Sequence, residues 1–334
     1  MVLETAVEIP DAEYLRLEEI LLNTTTPSVA LKSRFRALFT LKSVKSDRAV
    51  DIIAKAFTDP SALLRHELAY VLGQMKNPHA IPVLAGVLAS KDEDCMVRHE
   101  AAEAIGAIGQ ESSIEILEQY KTVEQESSRV VRETVELAIE RIHYEVNQRK
   151  IGGKEADSGY SSIDPAPALE TKKSEGAKIK EMSTKEVGEV LMNTELPLFL
   201  RYKAMFALRN RGNTEAVLEL AKGFCDESAL FRHEIAYVFG QMQHVASVPS
   251  LIETLSRPGE EAMVRHEAAE ALGSIATPEC FQVLEQFKAD EAQVVKESCV
   301  IGLDMAEFEA SGDFQYAEKV ETVTEMKGET RNVV

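Results

Sequence analysis

The 334-residue chain has no tryptophan, only 6% aromatic residues, and four cysteines (Cys95, Cys225, Cys280, Cys299) with no C-x-x-C spacing. Thin layers packed with Leu, Ala, Ile and Val are expected rather than a thick aromatic core, and the thiols are expected to be reduced. No apolar run approaches the roughly 18 to 20 residues that a membrane span needs. The first residues, Met1-Val2-Leu3-Glu4, are acidic rather than basic and carry no signal-peptide pattern. The expected setting is the cytosol, away from membranes. The period-two alternation of a half-buried strand is missing as well. Basic residues are few, with 37 Lys and Arg against 56 Asp and Glu and a formal charge of −19. A phosphate-binding stripe is therefore absent, and nucleic acid is excluded as a partner. The acidic surplus suits a cationic partner, or does no more than keep the chain in solution.

Histidine is also scarce, at seven residues, yet four are followed directly by glutamate: His66-Glu67, His99-Glu100, His233-Glu234 and His266-Glu267. The spacings are 33, 134 and 33 residues, a two-fold pattern. The pattern lies inside a duplication with an offset of 167 residues. At that offset Arg65-His66-Glu67-Leu68-Ala69-Tyr70 recurs as Arg232-His233-Glu234-Ile235-Ala236-Tyr237, and Met96-Val97-Arg98-His99-Glu100 as Met263-Val264-Arg265-His266-Glu267.

A finer period runs through each half. Arg34, Arg65, Arg98 and Arg132, then Arg201, Arg232, Arg265 and Lys296, follow one another at steps of 31 to 34 residues. Steps of that size mark stacked repeats. Segments such as Ala101-Ala102-Glu103-Ala104-Ile105-Gly106 are strong helix formers with small residues for close packing. Pro82 and Pro249 suit helix starts. The expected fold is all-α, a helical-repeat solenoid of eight helical hairpins in two pseudo-two-fold-related halves of four. The halves are placed at 1–147 and 183–310, joined by a flexible Gly-, Ser- and Pro-containing linker at 148–182 and followed by a polar tail at 311–334.

Adjacent His and Glu on a helix cover one broad sector, about 100° apart, so one helix can offer a nitrogen and a carboxylate to the same cleft. Helices of neighbouring repeats lie about 8–10 Å apart. His66 and His99 can then share one metal ion, and His233 and His266 a second. A histidine and carboxylate set suits non-haem iron, with manganese or zinc as competitors. The H-E-x-x-H protease motif is excluded, because Tyr70, Glu103, Tyr237 and Glu270 stand where its second histidine would be. Nor are the pairs simply inherited packing. The outer units of each half carry Phe35-Arg36, Glu133-Thr134, Tyr202-Lys203 and Glu297-Ser298 at the same positions.

Around the pairs, Arg65, Arg98, Arg232 and Arg265 are expected to form a structural ladder, since the basic position recurs in units without His-Glu. Glu103 and Glu270 either orient the imidazoles or face solvent. Met96 and Met263 either line a channel or pack in the core. His79, His143 and His244 are expected at the surface, and Cys95 is not expected to bind metal because its counterpart is Ala262.

Two sets of HEAT-like repeats with Arg-His-Glu twice in each resemble the deoxyhypusine hydroxylase family, from about Glu13 to Gly302. The resemblance implies a di-iron monooxygenase holding two Fe2+ and using O2. Its substrate would be the deoxyhypusine side chain on the translation initiation factor 5A precursor, converted to hypusine. It further implies that His66, Glu67, His99, Glu100, His233, Glu234, His266 and Glu267 form the metal site. In that division Glu67 and Glu234 cross to the iron held mainly by the other half, while Glu100 and Glu267 sit nearer the substrate amine. The alternatives are a non-catalytic scaffold for a basic protein and a structural zinc clamp between the halves.

Overall fold

The computed structural model describes residues 9–153, 159–175 and 178–311. Among these, sixteen α-helices form eight hairpins. In the first half they are α1 (Asp11–Leu21) with α2 (Leu31–Val44), α3 (Asp47–Lys55) with α4 (Ala62–Met75), α5 (Ile81–Ala89) with α6 (Cys95–Ile108), and α7 (Ile114–Leu117) with α8 (Arg129–Ile151). The second half repeats the order: α9 (Thr184–Met192) with α10 (Leu198–Arg211), α11 (Thr214–Ala221) with α12 (Ala229–Met242), α13 (Val248–Ser256) with α14 (Ala262–Ile275), and α15 (Pro278–Phe287) with α16 (Gln293–Ser311). The all-α, HEAT-like solenoid is thus the observed fold.

Composition decides which helix of each hairpin lies inside. In α6, built on Ala-Ala-x-Ala-Ile-Gly, 12 of 14 residues are buried, whereas α5 buries only Leu84 and Leu88. Small residues let the inner helices touch. A Cβ added to Gly106 would lie 2.8 Å from the Ala138 Cα, and one on Gly273 only 2.4 Å from the Gly302 Cα. The basic ladder ties each inner helix to the loops beside it. Nε of Arg34, Arg98, Arg201 and Arg265 donates to the carbonyls of Leu21, Leu88, Leu191 and Leu255 at 2.8 to 2.9 Å, and Arg65 and Arg232 pair with Glu93 and Glu260.

The two halves close on each other head to tail. Helix α8 packs on α10 and α12, and α16 returns to α2 and α4. Leu137 of α8 is buried in the second half's core, and its counterpart Ile301 of α16 in the first half's core. The serines that cap α4 and α12 are also held across the junctions. Ser61 accepts from Leu64 N and donates to Glu297, and Ser228 accepts from Phe231 N and donates to Glu133. Arg36 reaches Asp304 through both Nε and Nη2, at 3.1 and 2.7 Å.

The segment between the halves departs from the expected flexible linker. Helix α8 runs past residue 147 to Ile151, and a short antiparallel hairpin, β1 (Lys172–Glu175) with β2 (Lys178–Glu181), precedes α9. Between them Asp164, Pro165, Ala166 and Pro167 are buried. Small and proline residues need little volume to pack, so a stretch poor in large apolar side chains is still fixed in place. The polar tail lies outside the described residues apart from Ser311, which ends α16. No helix among the described residues is long and apolar enough to cross a membrane.

The close approach of inner helices is testable by unfolding in urea. Gly273→Ala is expected to cost about 1–3 kcal/mol, the usual penalty of overpacking. At exposed Gly86, where a new Cβ meets nothing within 4 Å, Gly86→Ala is expected to gain up to about 1 kcal/mol through helix propensity. Equal effects at the two positions would contradict the packing.

Candidate metal centre

Successive positions four apart on α4 rise about 6 Å along its axis and so present layers to the other half. Ala62, His66 and Tyr70 stand near their counterparts Ala229, His233 and Tyr237 on α12. At the lowest layer Met96, Met263 and Val264 form a small cluster with Ala62 and Ala229. The two methionines are therefore packing residues beneath the centre rather than channel lining. Above the imidazoles the Tyr70 and Tyr237 hydroxyls meet at 3.1 Å.

All four imidazoles converge on the pseudo-two-fold axis. The ring of His66 lies 5.6, 6.0 and 5.3 Å from those of His99, His233 and His266, and that of His233 lies 5.3 and 5.4 Å from His99 and His266. Contacts across the halves are as short as those within a half, so the expected pairs, His66 with His99 and His233 with His266, lie inside one shared cluster. Glu100 Oε2 sits 3.3 Å from His66 Nε2, and Glu267 Oε2 sits 3.4 Å from His233 Nε2. Three sets have donor atoms within 4.8 Å of one another: His66, His99 and Glu100; His66, His233 and His266; His266, Glu267 and Glu270. Glu100 and Glu267 thus lie among the imidazoles, while Glu67 and Glu234 belong to none of these sets.

Seven of the eight imidazole nitrogens are buried without a hydrogen-bond partner among the described residues, as is Glu234 Oε1. Native interiors rarely leave such groups alone, because each orphan costs about 1–3 kcal/mol. A cation at the cluster would meet that need. Its donors would be nitrogen and oxygen only, since Cys95 is exposed at the start of α6 and takes no part. Such a set accepts iron, manganese or zinc.

The electrostatics point the same way. Glu103 and Glu270 line the same cavity as Glu67, Glu100, Glu234 and Glu267, so six carboxylates surround four imidazoles. Burial, together with Glu270, pushes Glu67 up to about 8, and burial with Glu270 pushes Glu267 up to about 7. Glu103 and Glu234 are held well above the usual carboxylate range, again chiefly by burial. Burial lowers His233 to about 3 and His99 well below its ordinary value. At His66 burial is opposed and outweighed by Glu100, Glu67 and Glu267, which raise it to about 9. These carboxylates exceed the positive charge nearby. Glu270 is held low despite burial by His266 and by a 2.8 Å hydrogen bond from Ser298.

A cavity of about 430 Å³ leads to this centre, flanked by Phe35, Phe39, Ile301 and Met305. Tyr70, Tyr237, Gln241, Ser298 and residues 160–162 of the interdomain segment were not legible as site residues. The two tyrosines recur at the 167-residue offset, which was the available signal. His79 is exposed beside Asp51 at 2.8 Å, His143 is exposed, and His244 caps a short turn.

The repeats match the family model described as HEAT repeats over residues 16–95, 53–140 and 219–304. Fold and site therefore define a HEAT-repeat protein carrying a histidine and carboxylate centre. Deoxyhypusine hydroxylase of Candida albicans is 49% identical over 93% of this chain and 98% of its own, and that of Danio rerio 47% identical over 92% and 96%. The structure of human deoxyhypusine hydroxylase in complex with glycerol superposes with a TM-score of 0.80 at 45% identity, covering 89% of this chain and 98% of that one. The chain belongs to the deoxyhypusine hydroxylase family.

The raised groups set the stability of the metal-free protein. Glu67, near 8 when folded against an ordinary 4.5, keeps a proton that the unfolded chain releases. Stability from it is present below 4.5 and lost as pH rises through about 8. His66, at about 9, acts in the same direction above 6.5. His99 and His233 oppose this only below about 6.5. Metal-free protein is expected to lose stability in urea between about pH 6.5 and about pH 9. A flat profile there would contradict the buried charge.

Proposed function

We propose that this chain hydroxylates the deoxyhypusine side chain of the translation initiation factor 5A precursor to give hypusine, using two Fe2+ and O2. The observation that carries the reading is the cluster of imidazole nitrogens left without hydrogen bonds among the described residues, with surplus carboxylates, at the base of an open cavity. It stands in a chain nearly half identical to enzymes named for this reaction.

His66, His99 and Glu100 would hold one ion, and His233, His266 and Glu267 the other. His66 also lies against His233 and His266, so residues of both halves would share in holding the pair. Glu67 and Glu234, outside the donor sets, are left to meet the substrate. This inverts the roles that resemblance assigns to the glutamates, because in the folded chain Glu100 and Glu267 lie against histidine nitrogens. An iron pair, when bound, supplies the oxygen-activating redox chemistry. One oxygen atom enters a C–H bond, and the other leaves as water with two protons and two electrons from an external reductant.

The protein's own residues do the rest. Deoxyhypusine is a lysine lengthened by an aminobutyl arm and carries two ammonium charges, for which an acidic cavity of about 430 Å³ is complementary. Glu67 and Glu234 would anchor those charges and fix which methylene faces the centre. Tyr70 and Tyr237, whose phenols burial holds well above their ordinary values, stay neutral hydrogen-bond donors over the cluster. The apolar flank of Phe35, Phe39 and Ile301 limits water around the reacting carbon.

Protein purified under mild conditions is expected to carry about two irons per chain by elemental analysis, and His99→Ala to lose iron and hydroxylation together. Full activity without iron would overturn the reading. Glu67→Gln is expected to keep its iron and raise KM for the precursor protein roughly tenfold, the loss of one charged contact. Loss of iron from Glu67→Gln would instead make Glu67 a ligand.

A further inference from the structure

Duplication gives the centre two pseudo-equivalent approaches, and among the described residues they are not equally open. On the side of the cavity, Phe39 and Lys42 of α2 and Met305 of α16 are partly exposed. Their counterparts Phe206 and Arg209 of α10 and Arg141 of α8 are all buried, at 0%, 1% and 3% exposure. At Arg209 the interdomain segment makes the difference. Asp164 accepts from both Nη atoms of Arg209 at 2.8 and 2.7 Å, and the Tyr160 ring stacks on the same guanidinium at 4.2 Å. The next residues are held by two glutamines that the duplication relates. Gln74 exchanges two hydrogen bonds with the Ile163 backbone, at 2.8 and 3.2 Å, and Gln241 donates to Ser162 Oγ at 2.7 Å. Ala166 then joins the core cluster that contains Leu137, and Leu169 N donates to Lys203 O at 2.8 Å.

We infer that this strap, latched by Asp164 on Arg209, seals one of the two entrances. The substrate side chain then reaches the centre only through the groove of Phe39 and Met305. The inference rests on the hydroxylase reading above and deepens it. A centre with two alike approaches would admit the same diamine arm in opposite directions and offer different methylenes to the ions. Closing one approach leaves a single orientation. A linker need only join the halves, whereas a bidentate ion pair to a buried arginine and two glutamine ties are what a closure requires. Asp164 and Gln74 are accordingly positioning residues that determine specificity.

The duplication also supplies a matched pair of probes. In full-length, iron-loaded protein, Met305→Cys is expected to react readily with a maleimide and to be protected by the precursor protein. Arg141→Cys is expected to react only when the strap is released by Asp164→Ala, or by Gln74→Ala should the former fail to fold. Peptide mass separates these sites from the exposed Cys95 and Cys225. Met305→Arg, which copies the closed side, is expected to raise KM for the dicationic substrate roughly tenfold through charge repulsion, while Arg141→Met leaves KM unchanged. The strap's role is overturned if Arg141→Cys reacts as fast as Met305→Cys with the strap intact. The assigned entrance is overturned if Met305→Arg keeps the native KM. Should the wild type fail to hydroxylate deoxyhypusine, the hydroxylase reading falls, and the labelling contrast still decides whether the strap is closed.

Discussion

Ten ionisable side chains, four buried imidazoles and six carboxylates of which Glu103 and Glu270 are half-buried, meet on the axis between two copies of the same helical unit, and among the described residues they do not satisfy one another. Burial raises most of the carboxylates and lowers three of the imidazoles, while His66 is drawn up by the acids around it. Everything else in the fold serves to hold these groups together against that cost. Isolated, neither half has the other two imidazoles to complete the cluster, so chemistry and closure of the solenoid are one problem.

Closure is achieved by repeating one solution twice. Each terminal inner helix sends a glutamate to the capping serine of the opposite half, Glu297 to Ser61 and Glu133 to Ser228, and an aliphatic side chain into the opposite core. Those caps fix the first turn of the helices that carry His66 and His233. Inner helices stacked at glycine and alanine approach closely enough for rings on neighbouring repeats to lie 5.6 and 5.4 Å apart. Among the described residues that symmetry is broken at Arg209, where the interdomain strap is latched by Asp164.

Much of this was legible in the sequence because repetition amplifies weak signals. The 31 to 34 residue steps of basic residues gave the eight hairpins, and the four His-Glu pairs stood out because outer units carry other residues at those positions. The arginine ladder could be told from the site by the same comparison. What escaped was whatever depends on how the halves meet. Convergence of His66 with His233 and His266 is set by the closed ring and has no local pattern. Adjacency of His and Glu does not say which carboxylate turns toward the imidazoles, and in the folded chain Glu100 and Glu267 lie against histidine nitrogens. The strap was missed because Asp157-Ser158-Gly159-Tyr160 reads as a linker by composition, while its anchors, Arg209, Gln74 and Gln241, lie far away in sequence.

The most direct test of the central claim is isotopic. Iron-loaded protein would be given the deoxyhypusine-bearing precursor and a reductant under heavy-isotope dioxygen, and the product chain read by intact mass. The account predicts one heavy oxygen atom per substrate chain, on the deoxyhypusine side chain, with none from labelled water. Oxygen taken from water, or an unmodified precursor in the presence of two bound irons, would contradict it.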